Sequence, residues 1–281
     1  TNEGRLDAAG GSLAVPRLAG NTGSILVSAG GGLTLQGDWT NTGGTIQLGE
    51  GTTFTLGGSF ALADMGTITN TGGVVRIAGT LDNQGTTFDL DATGGGCRLC
   101  GGTILGGVVR ASGGGKLVVE GGNLDGVTLD CDIDVTGSLN VRNGLTLNGK
   151  MRLLAGTRLS FEGTQTLGGT GEVVFDGGAY WNPSYISMSV AGTLTIGAGI
   201  EIHGGYGYIG VDWHAMSVVN QGAIVADIAG QWVNVSVIGG MITNEGRLEA
   251  AGGSLDVTRL AGNTGSILVS AGGGLTLQGD W

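Results

Sequence analysis

The sequence predicts an all-β chain wound as a β-solenoid of roughly 11 to 13 coils with little or no helix. Three observations predict it. Glycine fills 63 of 281 positions while proline fills only two, with no Gly-X-Y period, which excludes long helices, collagen and Pro/Gly disorder together. Short runs of Val, Ile, Leu and Thr alternate with period two and are punctuated by turn residues at intervals near 20. Finally, residues 243–281 repeat residues 1–39 with only three differences, Asp7/Glu249, Ala14/Asp256 and Pro16/Thr258.

Taken along the chain, Leu33-Thr34-Leu35, Thr45-Ile46-Gln47-Leu48, Thr53-Phe54-Thr55-Leu56, Leu145-Thr146-Leu147, Thr193-Leu194-Thr195-Ile196 and Ile200-Glu201-Ile202 each place apolar groups on one face. That alternation is the signature of a strand with one buried side. Asn-X-Gly recurs at Asn2, Asn21, Asn41, Asn70, Asn83, Asn220, Asn244 and Asn263. These asparagines read as turn residues suited to positive φ. No run of ten or more residues carries a 3.6-residue apolar stripe. A sandwich or barrel would use distinct strands in a closed unit, whereas similar punctuation recurring about every 20 residues fits stacked coils. Each coil of about 20 to 25 residues is expected to carry two or three strands, about 4.8 Å above the coil below.

The long repeat divides the chain into one full unit, residues 1–242, and the start of the next, residues 243–281. The expectation is a window on a tandem array, whose partners are adjacent copies of the same repeat stacked end to end.

Twelve basic residues against 23 acidic ones give a net charge of −11. That field repels nucleic acid and anionic membranes. No stretch is apolar and long enough for a membrane-spanning helix, so no membrane insertion by this segment is expected.

The phrases TNTGGTIQLGEGTTFTLGGSF, GTLDNQGTTFDLDATGGG, GVTLDCDIDVTGSLNVRNGLTLNG and FEGTQTLGGTGEVVFDGG resemble the repeat regions of very large bacterial surface proteins, similar to filamentous-haemagglutinin and autotransporter passengers. The resemblance covers essentially the whole chain. It implies a right-handed parallel β-helix, secretion, display at the cell surface, and a stalk, adhesin or coat role. It brings no catalytic residues with it.

Candidate chemistry is sparse. Cys97-Arg98-Leu99-Cys100 is a CxxC, but with Leu99 facing inward the two sulfurs fall on opposite faces of a strand, which disfavours zinc. Cys97 and Cys131 both face inward, either as small core residues or as a disulfide pair. Asp130, Asp132 and Asp134 share an outer face, Asp125 precedes them, and Asp89 and Asp91 are candidates for further oxygens from a neighbouring coil. Such a row is a calcium candidate if an adjacent coil adds oxygens, and otherwise a solvated acidic face that discourages sideways aggregation. Calcium is the one cofactor that the sequence offers.

Aromatic residues concentrate between 180 and 232: Tyr180, Trp181, Tyr185, Tyr206, Tyr208, Trp213 and Trp232, with both histidines, His203 and His214. Tyr180, Trp181, Tyr185, Tyr206, Tyr208 and Trp213 form the candidate ligand site, a ring-bearing patch for a cell-surface or extracellular polysaccharide. The other reading is that the rings pack an irregular coil.

No nucleophile elbow, phosphate loop or dinucleotide fingerprint occurs. Together with the resemblance, which implies an extracellular or cell-surface location, the expected role is a structural solenoid rather than an enzyme. A glycan-binding adhesin repeat is the alternative, and a polysaccharide-cleaving β-helix stands behind it.

Overall fold

A computed structural model describes every residue except Gly95, Asp212, Trp213, Asp280 and Trp281. The described residues form an all-β parallel solenoid of about 13 turns, 3% helical, with no helix of seven or more residues. The chain divides into two compact units, Thr1–Asp132 and Ile133–Trp281. This division falls inside the long sequence repeat rather than at residue 242.

In the first unit one column stacks Arg5–Ala9, Ser24–Ser28, Thr45–Leu48 and Thr67–Asn70, all parallel. A second column stacks Ser12–Val15, Gly32–Leu35, Thr53–Leu56, Val74–Ile77, Gly96–Leu105 and Lys116–Asp130. The period-two pattern explains the inside of this column. Leu33, Phe54, Val75, Cys97 and Leu117 lie on successive rungs, as do Leu35, Leu56, Ile77, Leu99 and Val119, and all are buried. Each such aliphatic side chain contributes about 1.5–3 kcal/mol of transfer free energy, so the column of like residues is the main cohesive element. Two short 3₁₀ turns, Leu62–Met65 and Leu90–Thr93, mark corners. At another corner Trp39 stacks on Phe60, 4.8 Å between ring centres, and its indole N–H donates to the Gly57 carbonyl at 2.8 Å.

The second unit has three parallel columns. One runs through Lys150–Leu153, Glu172–Phe175, Glu201–Gly204, Ala223–Ala226, Arg247–Ala250 and Ser266–Val269. Another runs through Arg158–Glu162, Ser184–Val190, Gly207–Ile209, Trp232–Val235, Ser254–Val257 and Gly274–Leu277. The third takes Gln165–Gly169, Gly192–Ile196, Met216–Asn220, Ile242–Asn244 and Leu260–Asn263. Coil length varies more widely than the even punctuation of the sequence suggests. The coil that brings Ile133 to face Met151 is short, whereas the one that brings Gln165 to face Leu194 is long. The long coil carries Tyr180, Trp181 and Pro183, so the extra residues leave as a loop while the strands keep their rungs.

The asparagines depart from the sequence reading. None of the eight has a positive φ. Asn21, Asn41, Asn83, Asn220 and Asn244 are buried polar residues instead. Asn2 donates to Asn21 at 2.6 Å and Asn21 to Asn41, and Asn41 passes its amide to the Met65 carbonyl at 2.8 Å. In the second unit Asn220 donates to Asn244 at 2.8 Å and Asn244 to Asn263 at 2.6 Å. A carboxamide has both donor and acceptor, so it can bond the coil above and the coil below, which offsets the cost of an inward-facing polar corner. The glycine two residues later has its own reason. A Cβ at Gly23, Gly246 or Gly265 would overlap a backbone carbonyl of the preceding coil, so close stacking demands glycine there.

Candidate functional site

The outward face of the second unit collects the aromatic residues. The register places Arg158, Tyr185, Tyr208 and Asn234 on successive rungs. The Tyr185 and Tyr208 rings stack with centres 5.5 Å apart at 10°. Trp232 leans on Tyr208, 4.6 Å away, and meets the edge of Tyr206 at 5.7 Å. The Arg158 guanidinium sits 5.0 Å over the Tyr185 ring, a cation–π contact. Burial raises the Tyr208 phenol above its ordinary pKa, with Tyr185 and Tyr180 adding to the effect. Tyr206 adopts φ 54°, a left-handed conformation between Gly205 and Gly207. A side chain at Gly207 would overlap the Phe175 ring, so the glycine lets the loop close over that phenylalanine.

Thus Tyr185, Tyr206 and Tyr208 come together, and their faces are largely taken up by one another, by Trp232 and by Arg158. Tyr180 and Trp181 stand out beside them, 72% and 85% exposed. Trp213 lies outside the described residues. Arg158, a full coil before Tyr185, had no signal in the sequence, because only the parallel register makes the two neighbours.

On the same unit His203 bridges two carboxylates. Its Nδ1 lies 2.9 Å from Asp227 and its Nε2 3.0 Å from Glu172, which also binds Lys150 at 2.7 Å. Burial opposes the charged imidazole, but the two carboxylates outweigh it and raise its pKa. The group is an ion-pair network that links adjacent coils, with Glu172 held below the usual carboxylate range chiefly by Lys150. His214, the other histidine, is exposed.

In the first unit Glu120 accepts from Arg98 at 2.5 Å, from Arg76 at 2.9 Å and from the Cys100 thiol at 3.2 Å. Arg98 first, then the thiol, holds Glu120 below the ordinary carboxylate range. Burial and that hydrogen bond push Cys100 up to about 11, so the thiol stays neutral and unreactive. Cys97 and Cys131 are likewise pushed up to about 12 by burial.

All three cysteines are free, so the alternative of a Cys97–Cys131 disulfide gives way to buried thiols. Cys97 sits on its rung between Val75 and Leu117, which puts hydrocarbon rather than sulfur at bonding distance on either side.

The acidic row is also engaged. Asp130 faces Arg110 across the ladder, and Arg110 binds Asp89 at 2.9 Å. Asp134, in the second unit, binds Arg152 at 3.3 Å. Asp91 accepts backbone N–H groups of Gly113 at 2.6 Å and Ser112 at 2.7 Å, which hold its carboxyl below the usual range. Among the described residues no group of three or more His, Cys, Asp or Glu side chains is placed to hold a metal ion. A hollow of about 390 Å³ opens in the first unit beside Leu62, Met65, Ile68, Phe88 and Thr93.

Comparison with family models, with curated proteins and with solved structures finds no match to this chain.

Proposed function

We propose that this chain is a structural repeat of a surface-displayed or secreted protein, a length of β-solenoid that serves as a stalk, fibre or surface-layer element. One observation supports this reading above the others. The two near-identical segments make the same rungs wherever they occur: Arg5 faces Ser24 as Arg247 faces Ser266, and Ser12 faces Gly32 as Ser254 faces Gly274. A sequence segment that makes the same strand rungs at two positions adds length in fixed increments, which is what an extending element requires. The resemblance to filamentous-haemagglutinin and autotransporter repeats belongs to this proposal, as does the extracellular location.

The test is electron cryo-microscopy of the native protein on its producing cells. Thin surface filaments with an axial spacing of about 4.8 Å are the expected result. Compact particles confined to the cell interior would overturn the proposal.

The second reading is an adhesin, and the exposure of Trp181 and Tyr180 beside a fixed aromatic group favours it. In that case the full chain is retained on an immobilised cell-surface glycan. Trp181→Ala together with Tyr180→Ala abolishes retention, and unchanged retention defeats the reading.

A further inference from the structure

In the first unit two arginines are stacked on adjacent rungs. Arg98 faces Arg76 in the second column, so their Cα atoms lie about 4.8 Å apart. Two guanidinium groups at that spacing repel each other, and they share one carboxylate. Arg98 Nη1 donates to Glu120 Oε1 at 2.5 Å, and Arg76 Nη2 donates to Glu120 Oε2 at 2.9 Å.

Other cations of the chain are better provided. Arg110 meets Asp89 through both Nε and Nη2, Arg142 has Glu162, and Lys150 has Glu172. Arg152 has two carboxylates, Asp134 and Asp176, and so does Arg247, with Glu201 and Glu249. In a chain with 23 acidic residues against 12 basic ones, two arginines on a single carboxylate reverse the local sign. Among the described residues each of the two guanidiniums spends one nitrogen on Glu120 and makes no other hydrogen bond. A guanidinium carries five N–H donors, so most of each fork is unspent, and the two side chains are 37% and 41% exposed.

The ladder departs from its plain register to make this arrangement. Leu99 faces Val119 but Cys100 faces Gly121, which leaves Glu120 as the extra residue of a β-bulge. A bulge re-aims the side chain it carries, and bulges are over-represented beside functional sites. Gly122, at φ 137°, lets the strand close after it, because a Cβ there would overlap the Gly102 carbonyl. Glu120 is thereby brought onto both arginines, with the Cys100 thiol donating to it at 3.2 Å. Arg98 first, then the thiol, holds its carboxyl below the usual range, so it stays ionised and the cluster keeps one positive charge in excess.

We propose that Arg76 and Arg98 form a binding site for a small, singly charged oxyanion, a carboxylate or a sulfate ester, which takes N–H groups from both guanidiniums beside Glu120. One negative charge balances the excess, and the planar forks match an oxyanion in geometry. A divalent ion leaves a net negative charge against Glu120, and a polyanion is repelled by the field of a chain of net charge −11. Glu120 acts as a positioning residue: it holds both side chains in place before the ligand arrives, which lowers the ordering cost of binding. The site is independent of the structural reading above and would serve a filament and a compact particle alike.

Nuclear magnetic resonance titration of the full chain tests the proposal, with methyl sulfate and acetate as probes at constant ionic strength. The backbone amides of Arg76, Arg98 and Glu120 and the Nε–H groups of the two arginines are expected to shift and saturate, while those of Arg142 and Arg152 do not. Arg98→Gln weakens binding about 10-fold. Arg76→Lys keeps the charge but loses the fork, and weakens it about 3-fold. Glu120→Gln removes the competing negative charge and tightens binding about 10-fold. Inorganic phosphate at mildly alkaline pH, largely divalent, binds more weakly than methyl sulfate. Dextran sulfate, which carries the same ester on a polymer, binds no more tightly per sulfate than methyl sulfate does. Circular dichroism confirms that each variant is folded, and where Arg98→Gln is not, Arg76→Lys and Glu120→Gln decide the matter.

Shifts that fail to saturate at Arg76 and Arg98 overturn the site, as do equal shifts at Arg142 and Arg152 or a Glu120→Gln protein that binds no more tightly than the wild type. Tighter binding of phosphate or of dextran sulfate overturns the assignment to a small, singly charged ligand.

Discussion

Residues 1–39 and 243–281 differ at three positions, yet they occupy opposite circumstances. In the second copy Leu248, Leu255 and Val257 are fully buried, lying between Ile224, Val233 and Val235 on one side and Ile267, Leu275 and Leu277 on the other. In the first copy their equivalents Leu6, Leu13 and Val15 have, among the described residues, a neighbouring strand on one side, and it is Ile25, Val27, Leu33 and Leu35 that are buried. The rungs are the same and the burial is exchanged. In a solenoid, then, local sequence sets a coil's path and its neighbours set its stability.

The largest expected effect that sharpens this comparison is on the leucine column. Leu248→Ala should cost about 2–5 kcal/mol, because it opens a cavity between two coils, whereas Leu6→Ala should cost about 1 kcal/mol. Hydrogen exchange of the amides in Arg247–Ala250 and Arg5–Ala9 measures both locally, without assuming that the whole chain unfolds in one step. Equal losses at the two sites would break the argument from neighbours.

Next comes a pair of equivalent glycines. A Cβ at Gly246 overlaps the Gly222 carbonyl, while one at Gly4 meets nothing closer than Asn2 Oδ1 at 4.0 Å. Gly246→Ala should therefore destabilise by roughly 1–3 kcal/mol, and Gly4→Ala should lie within about 0.5 kcal/mol of the wild type. Chemical denaturation of the two variants side by side separates close stacking from any intrinsic need for glycine in the repeat.

A smaller contrast lies in the asparagine ladder. Asn244→Ala breaks a rung on each side and should cost about 2 kcal/mol, against about 1 kcal/mol for Asn2→Ala, which loses a single rung. Thermal melts with the corresponding Gln variants show whether reach or mere polarity is required.

The smallest effect is one of pH and belongs to the second unit alone. Burial opposes the charge on His203, yet Glu172 and Asp227 raise its pKa, with Lys150 also on Glu172. Its contribution is complete below the ordinary imidazole value of about 6.5 and is lost as pH rises through the folded value. Protection of the amides around Glu201–Gly204 should fall between acid and mildly alkaline pH in the wild type and stay level in His203→Gln, while the amides of Arg5–Ala9 show no such difference.

Much of the fold is legible in the chain. Alternation at Leu33, Leu35, Phe54 and Leu56 marks inward and outward faces, and the same logic puts Cys97 and Cys131 inside and Cys100 toward the surface. The asparagines read as turn formers because a turn propensity and a stacking role use the same residue, and only a buried neighbour one coil away distinguishes them. The aromatic region is visible as composition, but its membership is not. Arg158 and Trp232 join Tyr185 and Tyr208 through rungs that span coils of unequal length. No local pattern reports that the coil from Arg158 to Tyr185 is longer than the one from Tyr185 to Tyr208.

That the chain is β, that it repeats, and which side of each strand is apolar all follow from the residues in order, because period-two alternation and self-similarity are properties of short stretches. Which side chains share a column, which of two near-identical segments is buried, and where the asparagines point are settled only when the coils stack. The reason is physical: in a parallel stack every strand bonds to residues a full coil away, so the identity of its neighbours depends on how many residues each intervening corner takes up.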